Sequence, residues 1–86
     1  MPDGPPAREP QRGLARAVRA LRERAGLGPA EVAGRAGIPV SSLSRVESGD
    51  HDPTWAEMRR VAEGLGVTLE VLAEVAEQKE DEARAD

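Results

Sequence analysis

The sequence predicts an all-α fold, a compact arrangement of five short helices, and three observations support this prediction. Between residues 14 and 76, apolar residues recur at spacings of three and four, which is the period of a helix face. Glycines stand at positions 26, 37, 49 and 66, each at a point where a left-handed residue would end a predicted helix. No segment shows the alternation of a half-buried strand.

The first two helices are predicted on either side of Gly26. The first begins near Gln11. One face of it is apolar and contains Leu14, Val18, Leu21 and Ala25. The second begins at Pro29, because proline suits the first helical position and Glu31 complements the positive end of the helix dipole. It ends at Gly37.

The third and fourth helices have equally clear limits. Pro39 opens the third, from Val40 to Ser48, with Leu43 and Val46 facing inward. Thr54 begins the fourth, where its side chain and that of Glu57 are expected to exchange hydrogen bonds with backbone amides as a capping box. The inward face of the fourth helix is predicted to contain Trp55, Met58, Val61, Ala62 and Leu65.

Thr68 is expected to cap a fifth helix that ends near Ala76. Leu69 and Leu72 would face the core. A second apolar stripe follows a spacing of four and consists of Val67, Val71 and Val75. An additional apolar stripe on a terminal helix is typical of a dimer contact, and a single exposed valine is the alternative interpretation.

These limits divide the chain into three parts. Residues 1–11 hold four of the seven prolines and are predicted to form a disordered arm. Residues 12–76 form the predicted helical domain. Residues 77–86 are acidic and polar on all sides, and we expect this tail to be frayed.

The net charge of −4 is unevenly distributed along the chain. Residues 1–66 carry ten arginines against nine acids, a net charge of +1, whereas residues 67–86 carry two basic residues against seven acids, a net charge of −5. Five arginines face a single acid between residues 12 and 24. The acidic total therefore does not exclude a nucleic acid as partner, although a solvated helix face would show the same pattern.

Composition excludes several other classes of protein. There is no cysteine and His51 is the only histidine, so we expect no metal site, no cofactor and no enzymatic activity. No stretch approaches the ~20 apolar residues of a membrane span, and the N-terminal residues lack the pattern of a signal peptide. We therefore expect a soluble, cytoplasmic domain without a small-molecule ligand.

Residues 29–48 carry the functional signal. A helix ends at Gly37, a two-residue linker follows, and a second helix begins at Val40. Ala33 is small enough for the two helices to cross closely. This spacing is typical of a helix-turn-helix, in which the second helix enters the major groove of DNA. An ordinary corner between two helices has the same spacing, and the spacing alone leaves both interpretations open.

A longer pattern distinguishes between them. It comprises five segments in order: residues 21–27 (LRERAGL), 31–33 (EVA), 43–49 (LSRVESG), 52–54 (DPT) and 65–69 (LGVTL). Together they resemble the phage Cro/C1-type repressor family, also called the XRE-type helix-turn-helix family, over about residues 14–73. The resemblance implies a lambda-repressor-like DNA-binding domain. It also implies a sequence-specific transcriptional regulator, a repressor, that binds double-stranded DNA as a homodimer.

The resemblance also implies roles for individual residues. Val40, Ser41 and Arg45 match positions that face bases, and Ser42 and Ser44 match positions near the phosphate backbone. Arg22 and Glu47 match a pair that forms a salt bridge between the first and third helices. There Arg22 would also reach a phosphate.

Two departures from the family pattern weaken the expected contacts with phosphates. Relatives have Ser-Gln where this chain has Gly28-Pro29, and basic residues in the loop where it has Asp50 and Asp52. We therefore expect weak non-specific binding with a shallow salt dependence. The same departures support an alternative function as a protein–protein adaptor, such as an antitoxin or a partner of a sigma factor or another regulator.

Overall fold

The computed structural model describes the backbone of residues 12–85 and the side chains of residues 12–82. The predicted arm of residues 1–11 lies outside the described residues. The described part contains five α-helices and no strand, as predicted. They are α1 (Arg12–Arg24), α2 (Pro29–Ala36), α3 (Val40–Ser48), α4 (Trp55–Leu65) and α5 (Leu69–Ala85).

The cap geometry confirms the predicted starts of α4 and α5 and the glycine ends of the first four helices. At the start of α4, Glu57 N–H donates to Thr54 Oγ1 at 3.1 Å and Thr54 N–H donates to Glu57 Oε1 at 3.0 Å. Thr68 Oγ1 accepts from Val71 N–H at 3.1 Å and so caps α5. All four predicted glycine stops have a positive φ, between 70° and 81°, which glycine adopts at little cost.

A single core joins the helices. Its members are buried apolar side chains, and the largest that are fully buried are Leu43, Leu72, Val18, Val32 and Val61. Every helix contributes to this core, so each helix buries its apolar face against the other helices.

Two predicted core positions are wrong. Ala25 lies beyond the last residue of α1 and is exposed. Trp55 is 65% exposed, because it occupies the first turn of α4, at the edge of the apolar face formed by Val61 and Leu65.

The predicted stripe of valines is only partly present. Val67 precedes α5, and its N–H donates to Ala62 O at 3.0 Å in the C-terminal turn of α4. Val67 and Val75 are half-buried and pack against the core, whereas Val71 is 39% exposed. Of the three, Val71 is therefore the side chain most available for contact with another molecule.

The predicted end of the fifth helix near Ala76 is also wrong, because α5 continues to Ala85. Residues 78–82 (QKEDE) include several strong helix formers, which lowers the cost of extending the helix. A long-range contact adds to this preference, because Gly13 N–H in the first turn of α1 donates to Glu80 Oε2 at 2.8 Å. The acidic end of α5 thus caps the N-terminus of α1, where a negative charge is favourable.

Helices α2 and α4 approach closely at Gly64. A Cβ atom at this position would lie 2.7 Å from Val32 O and 3.0 Å from Ala36 Cβ. Because both contacts are with the body of α2 and not with the flexible end of a side chain, the helices would have to separate to admit a methyl group.

We therefore expect Gly64→Ala to lower the free energy of unfolding by about 1–3 kcal/mol, the usual cost of overpacking, as measured by urea denaturation. Gly34→Ala is the matched control, because Gly34 is exposed in α2 and a Cβ there meets nothing within 4 Å. The control should stabilise by about 0.5–1 kcal/mol through helix propensity. Equal effects of the two substitutions would contradict the close approach of α2 and α4.

Candidate nucleic-acid interface

The turn between α2 and α3 sets the angle of the candidate recognition helix. Gly37 adopts a left-handed conformation with φ 70° and ψ 32°, and Ile38 N–H donates to Ala33 O at 3.1 Å. Pro39 then precedes α3 in an extended conformation with φ −63° and ψ 147°. Glycine adopts the positive φ at little cost, and proline fixes φ near the observed value, so both residues suit the bend at these positions.

Helix α3 has one buried and one exposed side. Leu43 and Val46 are 0% and 2% exposed and anchor the helix in the core. The predicted base-facing residues share the exposed side with Ser44; they are Val40, Ser41 and Arg45. Ser42 is half-buried, as a residue at the wall of this surface would be.

Arg22 and Glu47 form the predicted salt bridge between α1 and α3. Arg22 Nε donates to Glu47 Oε2 at 2.9 Å, and Arg22 Nη2 donates to Glu47 Oε1 at 3.0 Å. The two side chains are only 12% and 13% exposed. This bidentate geometry fixes both orientation and distance, so it holds α3 against α1.

A third hydrogen bond occupies the remaining end of the guanidinium, because Arg22 Nη1 donates to Leu27 O at 3.1 Å. The hydrogen bonds to Glu47 raise the pKa of Arg22 above its ordinary value, against the opposing effect of burial. With little exposed surface, Arg22 is placed to position α3 more than to reach a phosphate.

The loop after α3 is tied to the helices on both sides. Ser48 Oγ lies 3.0 Å from Arg45 O and 3.2 Å from Asp50 Oδ2, and its single proton can donate to either of them. His51 Nε2 lies 3.2 Å from both carboxylate oxygens of Glu57. Hydrogen bonds from the Thr54 backbone and from His51 lower the pKa of Glu57. Asp50 and Asp52 therefore occupy a connection that is held at both ends.

The arginines of α1 do not form one continuous basic surface with the exposed side of α3. Arg22 turns towards α3, whereas Arg16 and Arg19 border a shallow depression that also contains Lys79 and Glu82 of α5. The acidic end of α5 thus lies beside part of the basic charge that the sequence places in α1.

Among the described residues, no group of three or more histidine, cysteine or acidic side chains is arranged to hold a metal ion. None of the described helices combines the length and the apolar character needed to cross a bilayer.

Comparison with known proteins identifies this arrangement. A family model described as "Helix-turn-helix domain" matches residues 13–75. The chain belongs to the helix-turn-helix domain family. This confirms the resemblance in the sequence, and the matched residues include α2, the turn at Gly37 and α3.

A curated relative carries the same domain. It is an uncharacterized HTH-type transcriptional regulator of Haemophilus influenzae, which is 34% identical over 59 residues. The match covers 66% of this chain but 25% of the relative, so this chain corresponds to about a quarter of that protein.

Solved structures share the fold of this helix-turn-helix domain. The wild-type restriction-modification controller protein C.Esp1396I has a TM-score of 0.74 and 16% identity, and the match covers 80% of this chain and 91% of that one. The controller protein C.AhdI from Aeromonas hydrophila has a TM-score of 0.69 and 22% identity, covering 72% and 94%. The clp gene regulator ClgR from C. glutamicum has a TM-score of 0.73 and 22% identity, covering 79% and 88%.

Two features of the helix-turn-helix domain escaped sequence reasoning. The hydrogen bond of Arg22 to Leu27 O depends on the path of the chain after α1, for which the sequence carries no signal. The contact of His51 with Glu57 was also missed, although the capping box already placed the Glu57 carboxylate at the start of α4, close to this loop.

The salt bridge between Arg22 and Glu47 can be tested by a double-mutant cycle. Arg22→Ala or Glu47→Ala alone should lower the free energy of unfolding by about 3 kcal/mol, because each leaves a largely buried charge without its partner. The double variant should cost clearly less than the sum of the two, as measured by urea denaturation.

The exposed pair of Arg19 and Glu23 is the matched control. These residues are joined at 3.4 Å, with side chains 66% and 60% exposed. Arg19→Ala should therefore change the free energy of unfolding by less than about 1 kcal/mol. Additive effects of Arg22→Ala and Glu47→Ala would show that the pair does not couple α1 to α3.

Proposed function

We propose that this protein is a sequence-specific regulator of transcription that binds duplex DNA through α3 in the major groove. One observation carries the proposal: α3 exposes Val40, Ser41, Ser44 and Arg45 on the side opposite its buried anchor. A helix held in this way after a tight turn suits the major groove, which is wide enough for one α-helix. The curated relative, named a transcriptional regulator, supports the same function.

The exposed side chains have the chemistry to read bases. Arg45 would donate two hydrogen bonds to O6 and N7 of guanine, and Val40 would contact the methyl group of thymine. Ser41 would bond to either type of base, whereas Ser42 and Ser44 would position the helix on phosphates. Arg22 would contribute by holding α3 through Glu47.

Electrostatics would make this binding selective but modest. Asp50 and Asp52 carry negative charge beside α3, and the sequence lacks the polar pair that relatives place at the start of α2. Each phosphate that is neutralised contributes a slope of about 0.9 to the salt dependence. Few such contacts would give weak binding to random DNA, so affinity would depend on base contacts.

Two copies would supply the affinity that one small domain lacks. A homodimer would place its α3 helices about 34 Å apart, one turn of DNA, on a palindromic site. Val71 on α5 is the exposed apolar residue of the predicted dimer stripe. Bound to a promoter in the cytoplasm, the dimer would act as a repressor by blocking polymerase, without catalysis.

The central test is selection of bound duplexes from a random pool. We expect a palindromic site. Arg45→Ala should weaken binding to it about ten- to a hundredfold and relax the preference at one guanine position, because a bidentate contact contributes about 1–3 kcal/mol. Arg19→Ala is the matched control. It also removes one positive charge, but from a part of α1 that lies beside α5, and it should leave the selected site unchanged. If no sequence is enriched at low salt, the adaptor function replaces this one.

The dimer contact can be tested separately by light scattering. Val71→Glu should convert dimers to monomers, because it places a charge in an apolar contact, and should weaken binding to the palindrome. Ala30→Glu introduces the same charge at an exposed residue of α2 and should leave the mass unchanged. An unchanged mass for Val71→Glu would exclude this seam.

A further inference from the structure

An open apolar groove of about 590 Å³ lies where α1, α4 and α5 meet, and α3 does not line it. Most of its lining is apolar and includes Leu14, Trp55, Met58, Leu69 and Ala73. This volume falls in the range of pockets that bury a ligand or an anchoring side chain.

Trp55 is the most unusual residue of this groove. It is 65% exposed on the first turn of α4, although a tryptophan gains more than most residues from burial. Exposed aromatic residues beside an apolar depression are typical of binding surfaces, where tryptophan is a frequent anchor. The groove and the indole ring together form a surface that a partner could cover.

The charge around this groove indicates the kind of partner. Glu70 and Glu77 line the groove beside its apolar residues, and residues 67–86 carry a net charge of −5. A second copy that presented its own α5 would bring the same acids together. Residues 1–11 carry Arg8 against Asp3 and Glu9, so this segment offers no net positive side-chain charge. A basic partner complements the groove best.

We propose that this groove binds a short basic amphipathic helix of another protein. Apolar side chains one turn apart would enter beside Trp55 and Met58, as in other helix-in-groove complexes, and flanking lysines or arginines would pair with Glu70 and Glu77. The section of α5 that lines the groove, residues 69–77, is about 12 Å long. That length matches about two turns of a bound helix.

A synthetic peptide tests the proposal on the full chain. The peptide is an amphipathic helix of leucine and lysine, about 14 residues or ~21 Å long, with a fluorescent label for anisotropy. Trp55 is the only tryptophan and there is no tyrosine, so an unlabelled copy of the peptide permits a direct reading of the groove. We expect saturable binding and a blue shift of the Trp55 emission.

Charge-matched variants show where the peptide binds. Glu70→Lys with Glu77→Lys should weaken binding about tenfold or more, equivalent to about 1.4 kcal/mol. Glu63→Lys with Glu74→Lys changes the net charge equally at two exposed residues that do not line the groove, and should change affinity less than about twofold, within 0.4 kcal/mol. A peptide with glutamate in place of lysine should not bind.

Any of the following outcomes would overturn the proposal. In the first, the basic peptide binds without a change in Trp55 emission, or the two double variants bind it equally. In the second, the emission shifts to the blue with protein concentration alone, which would make a second copy the occupant. In the third, the emission of the dilute chain without peptide is already blue-shifted, which would mean that the chain covers its own groove. Arg45→Ala should leave peptide binding unchanged, so failure here and failure of DNA binding are distinguishable.

Discussion

The ion pair between Arg22 and Glu47 joins α1 and α3 through two residues that are 25 positions apart in the sequence. Two hydrogen bonds between planar groups leave little freedom in rotation or distance, and low exposure limits competition from water. Because Glu47 lies on α3, the pair fixes the surface that carries Val40 and Arg45. Leu43 and Val46 anchor α3 in the core, and the ion pair fixes its position against α1.

Two surfaces of different character result from this arrangement. The exposed side of α3 combines hydroxyl groups, one valine and one arginine, which suits the edges of bases. The groove beside Trp55 is apolar and bordered by acids, which suits a basic helix. The acidic charge of α5 would repel DNA if it lay beside α3. The contact of Glu80 with Gly13 instead directs part of it to the start of α1.

Local features of the chain could be predicted because their causes are local. Thr54 and Glu57 are three residues apart, the distance at which a capping box forms, and Gly37 ends α2 through its own backbone conformation. Predictions failed where distant elements decide. Trp55 follows the helical period but is exposed outside the core. Val67 and Val75 belong to the predicted stripe but pack against the core, whereas Val71 is exposed. The end of α5 could not be located from the sequence, because Glu80 near that end is bound by Gly13, which lies 67 residues earlier in the chain.

The sequence by itself determined the number of helices, most of their limits and the motif that identifies the family, because caps, glycine turns and apolar periodicity act over a few residues. Apart from the pair of Arg22 and Glu47, which the family resemblance implied, only the tertiary structure decided which charges meet and which apolar residues remain exposed. Arg22 is one of five arginines within α1, and nothing in its local sequence distinguishes it. Its role follows from the close approach of α1 and α3, which excludes water and makes one pairing far more favourable than the alternatives.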